Sequence, residues 1–278
     1  MTILVLTIFL FLGAMSAGLV GSLTGLGGGV ILIPLLTIVF KVDIHYAIGT
    51  SLVSVIATSS GAAAAYVKEG ISNIRIGMFL EVATTTGAIM GAYIAIYTQP
   101  YIIAVIFGAV LIFAAISSFA KKEQAQLPAT STRLAYWLRL NGTYPSLTGI
   151  KSYQVINVAG GFFMMMAAGI ISGLLGIGSG ALKVIAMDNI MRIPFKVSTA
   201  TSNFMIGVTA AASAGLYLQR GYIDPGLSFP VVLGVLLGAI AGSRILVKSK
   251  TRVLRLVFGV VITLLAAEMI YNGLTHQI

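Results

Sequence analysis

The sequence predicts an all-α integral membrane protein made of two inverted-topology repeats, each a broken, re-entrant helical hairpin followed by three transmembrane helices. Three observations carry that prediction. Hydrophobic residues make up 58% of the 278 and charged residues only 9%, with a mean hydropathy of +1.02; a soluble domain carries about 25% charge. Residues 18–91 and 169–242 align without a gap at an offset of 151. Gly18, Leu23, Gly25, Gly27 and Gly29 recur as Gly169, Leu174, Gly176, Gly178 and Gly180, and Thr50, Ser51 and Thr58 as Thr201, Ser202 and Thr209. Recurring glycines mark a duplicated architecture rather than shared hydrophobicity. Finally, equivalent loops carry opposite charge signals. Residues 98–100 are uncharged, whereas the matching loop holds Arg244, Lys248, Lys250, Arg252 and Arg255.

Each element follows in order. Residues 3–23 form an apolar helix; they lack a basic leading segment and resemble 153–175, so they read as structure rather than a signal peptide. The glycine cluster at 25–29 then breaks the helix, because glycine tolerates positive φ and weakens a helix interior. The next element, 29–40, rises roughly 18 Å as a helix, too short for a hydrocarbon core about 30 Å thick. Long helix, break and short helix therefore predict a hairpin that returns to its own side, with the break near mid-bilayer. Spans follow at 44–66, 75–97 and 101–120. A polar linker, 121–152, contains a stretch from Leu134 to Leu140 that predicts a short interfacial helix with Trp137 at headgroup level. The second half repeats the plan at 154–174, 180–191, 195–218, 227–247 and 253–273. The chain thus divides into a first membrane repeat (1–120), a cytoplasmic linker (121–152) and a second membrane repeat (153–278).

Loop charge orients the chain. The linker and the 244–255 loop are the most basic regions and belong in the cytoplasm. Counting spans from them places every Lys and Arg inside except Lys41 and Arg220, which lie outside, and Lys183, which lies within the membrane. Both termini then face outward across the cell membrane. The net charge of +10 is explained by this orientation, and a nucleic-acid partner is rejected.

The first copy of the motif reads GLVGSLTGLGGGVILIP from Gly18 to Pro34, followed by AIGTSLVSV; the second reads GIISGLLGIGSGALKVI, followed by TATSNFMIGVT. This duplicated pattern of spaced glycines and a Thr-Ser pair resembles the sulfite exporter TauE/SafE family of membrane transporters. The resemblance covers nearly the whole chain outside the linker. It implies transport of sulfur-containing or carboxylated organic anions such as sulfite, sulfonates or sulfoacetate. Ser179 in place of Gly28, Ile185 in place of Pro34, and Lys183 beyond the second break depart between the copies, and leave the particular substrate open.

Chemically, a broken helix exposes backbone amides that suit an anion, and two breaks entering from opposite sides would meet at the midplane. Gly25, Gly27, Gly28, Gly29, Gly176, Gly178, Ser179 and Gly180 are therefore candidate substrate-binding residues. The competing reading is close helix packing, which suits Gly87, Gly91, Gly238 and Gly242 better. Thr50, Ser51, Thr201, Ser202 and Asn203 could hydrogen-bond an oxyanion, or could join helices to one another. Lys183 is costly at membrane depth, by at least about 2.5–3.5 kcal/mol, and could neutralise the substrate or pair with Asp188. Glu81 is a candidate for proton coupling, and Glu268 a lesser one; His45 and His276 read as loop and tail residues.

The function that follows is secondary transport of a small anion by alternating access at a midplane site. The alternatives are an anion-selective channel and a cation or metal carrier. Acids and histidines are few and scattered, so no catalytic set, metal site or cofactor is expected, and neither cluster continues into a Gly-Lys-Ser/Thr phosphate loop. Expected partners are the small anionic substrate and membrane lipid; a homodimer is compatible with such a chain, though no residue demands it.

Overall fold

The computed structural model describes residues 3–24, 28–68, 70–119, 133–146, 149–248 and 251–275. Its elements repeat at the predicted offset. In the first half, α1 (Ile3–Thr24) is followed by short α2 (Gly29–Pro34), α3 (Ile44–Lys68), α4 (Ile74–Tyr97) and α5 (Pro100–Phe119). In the second, α7 (Val158–Leu175) is followed by short α8 (Gly180–Ile185), α9 (Phe195–Gln219), α10 (Pro225–Lys248) and α11 (Thr251–Leu274). From α2 onward every helix begins 151 residues before its counterpart.

Local chemistry explains the shared boundaries. Both short helices run on into one wide, π-type turn, Leu35–Val39 and Ala186–Ile190. Pro34 precedes the first and Ile185 the second, so the proline is not what widens the helix. The following chain reversal uses a left-handed residue in each half, Lys41 at φ 55° and Arg192 at φ 54°. Asn73 caps α4 by accepting from the Ile76 amide, and Asn157 caps α7 by accepting from Gly160.

Packing exchanges the halves. α1 lies along α10 as α7 lies along α4, while α3 crosses α9 and α5 crosses α11. The contacts obey the same exchange residue by residue. Gly18 abuts the Val235 backbone and Gly169 that of Thr84; Gly87 abuts Met166 and Gly238 abuts Met15. A two-fold operation relates such reciprocal pairs. At each of these positions a methyl group would strike a backbone carbonyl, so these glycines set interhelical distance, as small-residue seams do in membranes.

Two helices among the described residues, α4 and α7, are long and apolar enough alone to cross a bilayer. Shorter apolar runs lie at Leu4–Val20, Gly29–Val39, Pro100–Phe113 and Pro225–Ala241. Large hydrophobic side chains such as Phe9, Met78, Val82, Phe163 and Leu237 point outward, the arrangement of a protein dissolved in lipid rather than water.

The linker corrects the all-α expectation. After α6 (Arg133–Trp137) the chain forms an antiparallel hairpin, β1 (Gly142–Ser146) with β2 (Gly149–Tyr153). α6 is shorter than the stretch Leu134 to Leu140 because Arg139, at φ 50°, turns the chain. The segment is no loose tether: Ala135, Leu140 and Tyr153 are buried in one hydrophobic cluster with Ile76, Leu80 and Val158. His45 also departs from its reading as a loop residue. It is buried in the first turn of α3, with Nε2 3.1 Å from Ala95 O, Nδ1 3.2 Å from Asp43 Oδ1, and its ring stacked on Tyr222. His276 lies outside the described residues.

Candidate functional site

The second break is built from backbone conformation. Gly176, at φ 67°, ends α7 with its amide bonded to Ser172 O at 2.8 Å, the left-handed closure that glycine favours. Gly178 at φ 71° and Ser179 at φ 45° complete the reversal before α8. The whole stretch is buried, and the hydroxyls of Ser172 and Ser179 have no hydrogen-bond partner. Buried donors of this kind are costly and rare. In the first break, Gly25 and Gly27 lie outside the described residues. Gly28 and Gly29 are buried, and Gly28 is right-handed at φ −64°, so the Gly28/Ser179 difference in sequence accompanies a difference in backbone.

Gly29, at the described edge of the first break, approaches the second break beside α3 and α9. Ser51 Oγ donates to Gly176 O at 2.9 Å. A methyl at Gly29 would stand 2.6 Å from Ser51 Oγ and 3.3 Å from Gly176 O, so the start of α2 packs close to Ser51 and Gly176. Ser202 Oγ donates to Gly180 O at 3.2 Å. Thr50 Oγ1 pairs with Ser228 Oγ of α10 at 3.3 Å, and Thr201 Oγ1 accepts from the Asn73 amide at 3.0 Å. These four side chains therefore join helices around the crossing, while Asn203 Nδ2 bonds back to Thr199 O in its own helix.

Lys183 lies one turn into α8 and is 0% exposed. Its ammonium donates to Thr209 Oγ1 of α9, and Thr209 Oγ1 in turn donates to Glu81 Oε1 of α4 at 2.7 Å. Thr85 Oγ1 adds a second bond to Glu81 Oε1 at 3.0 Å, whereas Glu81 Oε2 is buried and without a partner. The structure thus gathers Lys183 and Glu81, two charges read independently from the sequence, on either side of one threonine. Thr209 was legible only as the repeat of Thr58. The signal available was simpler: opposite charges at membrane depth need partners, and these two are each other's. No group of three or more His, Asp or Glu side chains placed to hold a metal occurs among the described residues.

Comparison with known proteins places this architecture. The family model described as Sulfite exporter TauE/SafE matches residues 10–269. The chain belongs to the TauE/SafE family. Within it, the chain is 28% identical over 265 residues to the probable membrane transporter protein YunE of Bacillus subtilis, covering 93% of this chain and 95% of YunE. It is 26% identical to YdhB of the same organism, covering 82% and 85% of the two chains, and 25% identical to a probable membrane transporter protein of Haemophilus influenzae, covering 84% and 83%. No solved structure matches. TauE/SafE membership and these relatives make the chain an integral membrane transporter.

Proposed function

We propose that the chain is a secondary carrier of a small organic or sulfur–oxygen anion, working by alternating access around the junction of the two breaks. Lys183 carries the proposal. Among the described residues it is the one buried lysine beside an interrupted helix, and an ammonium has three donors, of which Thr209 takes one. An anion lodged against the second break would meet that charge, the unpartnered hydroxyl of Ser179 and the hydroxyls of Ser51 and Ser202. Gly25, Gly27, Gly28, Gly29, Gly176, Gly178 and Gly180 would let it approach the backbone. Thr50, Thr201 and Asn203 serve in this reading as framework or outer contacts.

In this scheme the repeats are inverted, their two-fold axis lies in the membrane plane, and the protein sits in the cell membrane with both termini outside. Turnover moves one hairpin against the other, and a transporter of this kind draws its energy from gradients. Glu81, whose Oε2 is unpartnered, is positioned to accept a coupling proton when an anion takes over Lys183.

Thermal-shift titration of the purified protein with sulfite, taurine, sulfoacetate, aryl sulfonates, simple carboxylates and divalent metals tests the reading. At least one anion should stabilise the wild type and lose that effect in Lys183→Ala. Stabilisation by metals and by none of the anions would defeat it. Counterflow in proteoliposomes separates a carrier, which saturates, from a channel, which conducts many ions per millisecond.

A further inference from the structure

A second polar site lies away from the helix crossing, where the linker folds against the α3–α4 turn. A cavity of about 270 Å³ opens there, and Ser72, Asn73, Arg75, Arg139, Asn141 and Thr143 are among its lining residues. Among the described residues, no carboxylate lines it. Neither guanidinium has an ion-pair or hydrogen-bond partner among the described residues. Ser72 Oγ is buried and unpartnered as well. Two exposed arginines without an acceptor among the described residues, beside a buried unpartnered hydroxyl, form a site suited to an anion.

The walls are rigid. Asn73 uses its side-chain oxygen to cap α4 and its amide nitrogen to reach Leu140 O at 3.1 Å and Tyr153 Oη at 2.7 Å. Arg139 is held at φ 50°, a conformation that few non-glycine residues adopt, and the Leu140 amide beside it is fixed to Ala135 O at 2.9 Å. Arg75 occupies the first turn of a 24-residue helix, whose terminal amides add positive potential.

The surroundings indicate where the acceptor comes from. On α6, Tyr136 is 78% and Trp137 77% exposed, and Ile150 of the hairpin is 80% exposed. Exposed aromatic and apolar side chains on a membrane protein belong at headgroup depth. Guanidinium groups bind phosphate bidentately, and basic pockets between transmembrane helices take anionic headgroups. We propose that this cavity binds the phosphate of an anionic phospholipid, held by Arg75, Arg139 and Ser72. The occupied site would fasten the linker to α4, one residue from the contact between the Asn73 amide and Thr201.

Binding is read here without flux, so the result is independent of the transport reading. The full chain is titrated in detergent with short-chain phosphatidylglycerol, with inorganic phosphate as competitor, and bound lipid is counted by native mass spectrometry. One tightly held phosphatidylglycerol is expected, displaced by phosphate. Arg75→Gln and Arg139→Gln should each weaken it about fivefold, and the double variant should lose it while keeping the lipid-free melting temperature. Lys151→Gln, on the same hairpin but outside the cavity, should change affinity less than twofold. Arginine-dependent binding of phosphate without phosphatidylglycerol would overturn the lipid assignment. Binding that ignores both arginines, or falls equally with Lys151, would overturn the site.

Discussion

The two halves share one order of helices, and beside the second break they differ in chemistry. Beside the second break stand Lys183, Thr209 and Glu81, joined by hydrogen bonds and buried. Stepping back 151 residues from the first two, and forward from the third, gives Leu32, Thr58 and Val232. Leu32 is as buried as Lys183, but Thr58 only bonds back to Ser54 O and Val55 O of its own helix. The duplicated scaffold therefore takes either an apolar or an ionic side chain at the equivalent buried position. Symmetry belongs to the architecture, and the charge is installed once.

The largest expected effect comes from making the halves alike. Lys183→Leu alone or Glu81→Val alone strands a buried charge and should cost about 3–5 kcal/mol, read as a lowered melting temperature in detergent. The double variant Lys183→Leu/Glu81→Val copies the first half and should recover most of that stability while abolishing anion counterflow. Full recovery of both would show that the ionic filling is not functional.

Gly18→Ala and Gly169→Ala probe the shared scaffold. Each added methyl meets a backbone carbonyl across the seam, and overpacking of this kind costs about 1–3 kcal/mol. The two losses should be similar, and a large inequality would break the two-fold relation.

Thr209→Val should cost about 1–3 kcal/mol by leaving Lys183 and Glu81 unbridged, whereas Thr58→Val should stay within about 0.5 kcal/mol. The smallest effect lies at the α3 entry. There the hydrogen bond from His45 holds the Asp43 carboxyl below its ordinary value of 3.8, and the equivalent positions are Pro194 and Lys196. A depressed carboxylate stabilises the fold above its unfolded pKa, and that contribution fades as pH falls through the folded one. Asp43→Asn should therefore flatten the melting profile slightly between pH 4 and lower values, and Pro194→Asp should not create such a step. With Asp43 about half exposed, a difference larger than that from Thr209→Val would contradict this account.

Repeated glycines and long apolar runs made the helices readable, and the starts at 29, 44, 180 and 195 follow from the 151 spacing of the glycine clusters. The hairpin of the linker was not readable. Gly142 to Ser146 is short, polar and contains Pro145, and of its partner strand only Tyr153 is buried, in a cluster with Ile76 and Leu80 of α4. The relay was half readable: Lys183 and Glu81 each stand out as charges at depth. Nothing in the chain announces that α4 lies against α9, because that contact crosses between the halves. Thr209 stayed inconspicuous for the same reason, since its role comes from its neighbours rather than its residue type.

The exchange of α1 with α10 and α7 with α4 has a consequence for biogenesis. When the ribosome finishes α5, the glycine seams of α1 and α4 still face lipid, because the surfaces that fill them have yet to be synthesised. Those seams can close only once α7 and then α10 have been made. The two seams thus become closable late and in turn, α4 with α7 and then α1 with α10, rather than by the joining of two finished pieces.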